Sequence, residues 1–155
     1  MTLAELLTQE RVIADLQSEE HWPAIEEMVG HLVEHHALDE SYKEAALTAL
    51  KAREEQRSTG IGGGIAIPHC FLPNLEEVVA IFARSNAGVD FCALDRAPVH
   101  FIVLFIVPES QYTPHLKTLA AIAKILNSAD TRNRLAEAVN DGEIIDILSQ
   151  RAAAV

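Results

Sequence analysis

From Val99 to Val107 the chain reads VHFIVLFIV, and Pro108 closes the run. An almost wholly apolar stretch must be hidden from water, yet this one is far short of the roughly 20 residues that cross a bilayer as a helix. It reads as a strand covered on both faces. Ile65–Ile67 and Val78–Ala83 have the same Val, Ile and Phe character and the same Gly, Pro and Asn boundaries, so three buried strands are expected in one central sheet. Strands hidden on both faces need helices above and below. The segment between the last two, Ser85 to Pro98, holds Asn86, Gly88, Asp95 and Pro98 and is expected to be an irregular connection.

Helical periodicity appears on either side of the strands. Ile25, Met28, Val29, Leu32 and Val33 recur at i, i+3, i+4, i+7 and i+8 behind Trp22-Pro23, which predicts an amphipathic helix with His21, His31, His35 and His36 on its polar side. Asp39 is placed to cap a second helix, whose stripe is Tyr42, Ala45, Ala46, Ala49 and Leu50, ending near Arg53. Arg11–Leu16 reads as a short strand after a helical turn at Leu3, Leu6 and Leu7. In the last third, Leu116, Leu119, Ala120, Ala123 and Leu126, widened by Ile122 and Ile125, predict a helix covered on most sides. Ser128 and Asn140 are expected caps of two further helices, Asn140 with Glu143 having capping-box spacing. No repeat or linker interrupts residues 1–155, so a single domain is expected.

Charge narrows the function. Twelve Lys and Arg stand against 23 Asp and Glu, a net charge of −11 that repels nucleic-acid phosphates and anionic lipid. Nucleic-acid binding and membrane insertion are therefore not expected. The two cysteines, Cys70 and Cys92, lie in apolar surroundings and read as buried, reduced thiols. With no targeting pattern at either end, the cytoplasm is the expected location.

The segment from Arg53 to His69, REEQRSTGIGGGIAIPH, is the most unusual. Gly60, Gly62, Gly63 and Gly64 allow positive φ and close approach, which suits either a tight connection or a backbone cradle for an anion. Nucleotide motifs fail: no Gly-Lys-Ser/Thr follows, and Ile65 stands where a dinucleotide fingerprint needs Gly or Ala. Pro68 stiffens the backbone before His69. After the long strand, Thr113, Pro114 and His115 read as a helix start, with Thr113 as N-cap and His115 in the first turn, where the helix dipole keeps imidazole neutral. Brought to one hollow, these residues suit a phosphoryl group: His69 as nucleophile, His115 as stabiliser and Arg53 as clamp. A metal held by the two histidines with Cys70 or Asp95 finds no support in their spacing. The acidic pairs, Glu54-Glu55 among them, read as solvated faces.

STGIGGGIAIPH from Ser58 to His69, with Arg53-Glu54 before it and PHLKTLAAIAKIL after, resembles the enzyme IIA domains of the fructose, mannitol and nitrogen-regulatory class of the phosphoenolpyruvate-dependent sugar phosphotransferase system. The resemblance runs from Leu3 to about Leu148. It implies an α/β three-layer sandwich whose mixed, mostly parallel β-sheet is flanked by helices on both faces. It also implies that His69 accepts phosphate from the phosphocarrier HPr or a paralogue, with His115 and Arg53 as site partners and Ser58, Thr59 and the glycines as the phosphate loop. The phosphate would pass to a IIB domain in transport members, or its presence would control a kinase, transporter or transcription regulator in regulatory ones. No cofactor is implied, neither nucleotide nor metal. Cys70 stands where the family usually has glycine, and a side chain there is expected either to restrict the backbone or to crowd the phosphate.

Overall fold

A computed structural model describes residues 6–56, 58–93 and 95–153. The expected turn at Leu3 lies outside them, while Leu6 and Leu7 are buried. The strands are β1 (Val12–Ile13), β2 (Gly60–Gly62), β3 (Ile65–Ala66), β4 (His69–Leu72), β5 (Val79–Val89) and β6 (Val99–Pro108). The helices are α1 (His21–Glu34), α2 (Lys43–Gln56), α3 (Tyr112–Leu126), α4 (Ala129–Glu137) and α5 (Asp141–Ala153). The sheet runs β1-β5-β6-β3-β2, with β4 also on β6. It is mixed: β1 on β5, β3 on β6 and β4 on β6 are parallel, while β5 on β6 and β2 on β3 are antiparallel.

The long apolar run divides its side chains between two cores, because successive strand residues point to opposite faces. Phe101, Val103, Phe105 and Val107 pack with Ile122, Ile125 and Leu126 of α3, Leu135 of α4, and Ile144 and Leu148 of α5. Ile102, Leu104 and Ile106 face Ile25, Met28 and Leu32 of α1 and Ala46 and Leu50 of α2. This is the three-layer sandwich implied by the family resemblance.

The local expectations fare unevenly. Asp39 accepts from the Ser41 amide and Ser128 from the Thr131 amide, as capping requires. Asn140 accepts from the Glu143 amide, and Glu143 reaches back to the amide of Val139 rather than to that of Asn140. Ser85–Val89, expected to be irregular, continues β5, because the ladder to β6 resumes at Val89 opposite Val99 after a register shift. The helix expected to start behind Thr113 starts at Tyr112, since a 3-10 turn over Glu109–Gln111 runs directly into it. Pro114 is thus the third helical residue, still in the first turn, where its missing N–H costs no helical bond. Nor is α3 covered on most sides: Ile122, Ile125 and Leu126 are buried, but Leu116 is 42% exposed.

Phe105 is fully buried where β6 meets β5 and β4. Phe105→Ala should lower unfolding free energy by about 3–5 kcal/mol in denaturant titration, and a loss below about 1 kcal/mol would contradict this placement.

Candidate functional site

Pro68 has no N–H to donate, and the edge that pairs with β6 is interrupted there. The interruption does not shift the register: Ile65 lies opposite Phe101, and His69, opening β4, lies opposite Phe105. His69 therefore stays on the face of Ile65 and Ile67, toward α3. Cys70 points to the other face and is buried, its Sγ 4.0 Å from the Ala46 carbonyl of α2. Burial pushes this thiol up to about 12. The expected crowding does not arise, because alternation sends the Cys70 side chain into the opposite core. Cys92, expected to be buried, is exposed.

His69 is partly buried, and its Nδ1 lies 2.9 Å from the Ile67 carbonyl oxygen. A carbonyl can only accept, so Nδ1 carries the proton and Nε2 keeps its lone pair. Burial, and secondarily the Arg53 charge, lower the ring's proton affinity from the ordinary value, against the opposing effects of the Ile67 bond and the Glu54 charge. The result is a neutral imidazole at pH 7.

His69 lines a cavity of about 360 Å³ with Arg53, Ser58, Thr59 and Ile61 on one side and Leu119, Ala120 and Ala123 of α3 on the other. The stripe read from sequence as core is thus in part a cavity wall. His115 is not among the lining residues. It precedes Leu119 by four positions, on the same helical stripe, about 6 Å further along the axis. There it lines a neighbouring hollow with Glu76, Glu77 and Pro114. Its Nε2 is 3.1 Å from Oε1 of Gln111, and its Nδ1 is buried without a partner among the described residues. Its proton affinity is also lowered, chiefly by burial.

The glycines form a hairpin turn. Gly62, Gly63 and Gly64 have φ of +95°, +68° and +81°, carrying the chain from β2 to β3. Two donors in this stretch are used internally: the Gly60 amide on Ser58 Oγ at 3.1 Å and the Gly63 amide on Asp95 Oδ2 at 3.1 Å. Gly60 backs onto Ala93, where a Cβ would come within 2.8 Å of the alanine methyl. Gly63 and Gly64 face a different hollow.

The anchor of this loop was missed in the sequence. Glu54 is 5% exposed. Its carboxylate accepts the Thr59 amide at 3.1 Å and the Thr59 hydroxyl, and its Oε2 lies 2.9 Å from Nε2 of His21. His21, expected on a polar face, stacks on Trp22 and packs against Phe91, each with ring centres 4.2 Å apart. Ser58 donates to the Phe91 carbonyl at 2.7 Å. The signal was present in spacing: Glu54 follows Ala46 and Leu50 at i+8 and i+4, on the buried stripe of α2.

Residues 5–151 match the family model for the phosphoenolpyruvate-dependent sugar phosphotransferase system, EIIA 2. The chain belongs to this family. It is 37% identical over 152 residues to the fructose-specific EIIABC component of Bacillus subtilis, covering 97% of this chain and 23% of that protein. It is 31% identical over 149 residues to a nitrogen regulatory protein of Bradyrhizobium diazoefficiens, covering 96% of this chain and 95% of the relative. The crystal structure of nitrogen regulatory protein IIA-Ntr from Neisseria meningitidis superposes with a TM-score of 0.85 at 28% identity, covering 94% of this chain and 98% of that one. Among the described residues no helix of this EIIA-type chain is long and apolar enough to cross a membrane.

Two outcomes follow for the site. The His69 ring should titrate below about 6.5 by NMR. As pH falls below 6.5 the unfolded chain takes up that proton first, so His69's contribution to stability, intact above 6.5, is lost as pH falls through the folded value. The fall in Tm over that window should be shallower in His69→Ala, and an unchanged slope would contradict it. Thr59→Val should lower the unfolding free energy by about 1–3 kcal/mol, because it leaves the buried Glu54 carboxylate short of a donor, and Thr59→Ser should restore most of it; equal stability of the two variants in denaturant titration would show that the hydroxyl bond to Glu54 does not matter.

Proposed function

We propose that the chain is a phosphoryl-relay protein in which Nε2 of His69 is the acceptor. The observation that carries this reading is the Nδ1–H bond to the Ile67 carbonyl, which leaves a lone pair on the ring nitrogen of a neutral histidine lining the Arg53 cavity. The lone pair attacks the phosphorus of a phosphohistidine on HPr or a paralogue as the donor's N–P bond breaks, and the donor ring recovers that electron pair. Such a transfer needs alignment and charge neutralisation more than covalent help. Arg53 supplies a planar fork for the phosphoryl oxygens. His115 reaches them from one turn away by exchanging its Gln111 partner for phosphate, and Ser58 and Thr59 complete the wall. The group then passes to a IIB domain. Donor and acceptor of this kind meet in the cytoplasm, where we place the protein.

A second reading is supported by the relatives. The nitrogen regulatory protein is matched along 95% of its length, the fructose component along 23% of its own. In this reading the phosphorylated state itself is the output, because about −1.5 to −2 charges added beside Arg53 alter any surface that docks there. Kinases, transporters and transcription regulators are the partner classes concerned.

Incubation with phosphoenolpyruvate, enzyme I and HPr should place acid-labile phosphate on the wild-type chain and none on His69→Ala. An unlabelled wild type beside a labelled control IIA would overturn the relay. His115→Ala should still accept phosphate but pass it on at least about tenfold more slowly; an equal rate would remove its role. For regulation, His69→Ala and the charge mimic His69→Asp should capture different partners, and identical sets would contradict a switch.

A further inference from the structure

A second hollow, of about 380 Å³, lies against the β2–β3 turn and is lined by Gly63, Gly64, Arg84, Ser85, His100 and Arg132 among others. In a chain with 23 acidic and 12 basic residues, a concave site with two arginines and no carboxylate in its described lining is unusual. Arg84 is 7% exposed and Ser85 1%. Neither arginine forms an ion pair among the described residues.

Both arginines are held in place, but by groups without net charge. Arg84 donates from Nε to the Ala14 carbonyl at 2.9 Å, and from Nη1 to the carbonyls of Leu135, at 2.9 Å, and Ala138, at 2.5 Å, at the end of α4. Arg132 donates from Nη1 to the carbonyl of Leu126, the last residue of α3, at 2.9 Å. The carbonyls, at the C-terminal ends of α3 and α4, orient the guanidinium planes and offset only part of each positive charge. Nη2 of Arg84, and Nε and Nη2 of Arg132, keep donors with no protein acceptor among the described residues. The Ser85 hydroxyl accepts from the Gly88 amide at 2.9 Å, so its own proton remains to be given. The Arg132 guanidinium lies over Gly63: a Cβ there would stand 3.6 Å from Cζ.

Donors fixed before a ligand arrives lose little freedom on binding, and planar guanidinium forks match oxyanions. The volume is that of a small-molecule site, and the nine-tenths-buried floor formed by Arg84 and Ser85 is out of reach of a flat protein surface. The geometry points to a binding site for a small soluble organic oxyanion, a carboxylate or a phosphate monoester, whose apolar part rests on Phe101 and Ala136. This site is separate from the His69 cavity and stands on the other side of the same glycine turn.

The test is an NMR titration of the full chain with inorganic phosphate and, separately, with succinate, against sodium chloride at matched ionic strength. At least one probe should give saturable, millimolar shifts centred on Gly63, Ser85, His100 and Arg132. His69→Ala should leave them unchanged, and Arg132→Gln should weaken binding about tenfold. Asn133→Asp, at an exposed rim position that leaves both arginines in place, should weaken it as well, which keeps the test valid if Arg132→Gln unfolds. Saturation by phosphate alone identifies a phosphate monoester, and by succinate alone a carboxylate. The proposal is overturned if neither probe saturates, if sodium chloride reproduces the shifts, if the shifts centre on His69 and Thr59, or if Asn133→Asp binds like the wild type.

Discussion

The bond from the His69 imidazole to the Ile67 carbonyl is the constraint on which the functional account depends. It exists because Pro68 interrupts the edge beside β6 without shifting its register, so that a histidine emerges on the α3 side with a carbonyl two residues behind it. One proton position is thereby settled. A ring whose Nδ1 is committed as donor presents Nε2 as base and nucleophile, and partial burial keeps it neutral at pH 7. The same alternation that aims His69 at α3 sends Cys70 into the other core, which is why a side chain at that position leaves the site unobstructed.

The glycine-rich segment contributes differently from what its composition invites. The Thr59, Gly60 and Gly63 amides are used on Glu54, Ser58 and Asp95, and the charged residue in the described lining of the His69 cavity is Arg53. The stretch is a turn fastened at several points. Glu54 is its main fastening. A carboxylate shielded from water costs several kcal/mol unless its oxygens are satisfied, and here both Thr59 donors bond to it, with the His21 ring nitrogen 2.9 Å from Oε2. Because Arg53 is the neighbouring residue in α2, the same buried carboxylate fixes the helix end that carries it.

Much of this was legible in the sequence. Uninterrupted apolar runs exposed the buried strands, 3.6-residue periodicity exposed the helices, and Pro68-His69 marked the proposed phosphate acceptor. What was not legible depended on long-range pairing. Ser85–Val89 has the composition of a loop, and only its return to β6 at Val99 makes it strand. His21 and Glu54 are separated by 33 positions, so neither could be assigned to the interior until Trp22 and Phe91 were seen to enclose the histidine. Thr113 offered good capping chemistry but was overtaken by a 3-10 turn that supplies the helix start from the other side. His115, expected in one hollow with His69, lies one turn short of that lining, a displacement that helical spacing alone cannot reveal.

The most direct measurement is the site of phosphate attachment on the 15N-labelled protein after transfer from phosphorylated HPr. The account predicts a single 31P–15N coupling, to Nε2 of His69, with Nδ1 still protonated. Coupling to Nδ1, or to either nitrogen of His115, would contradict it.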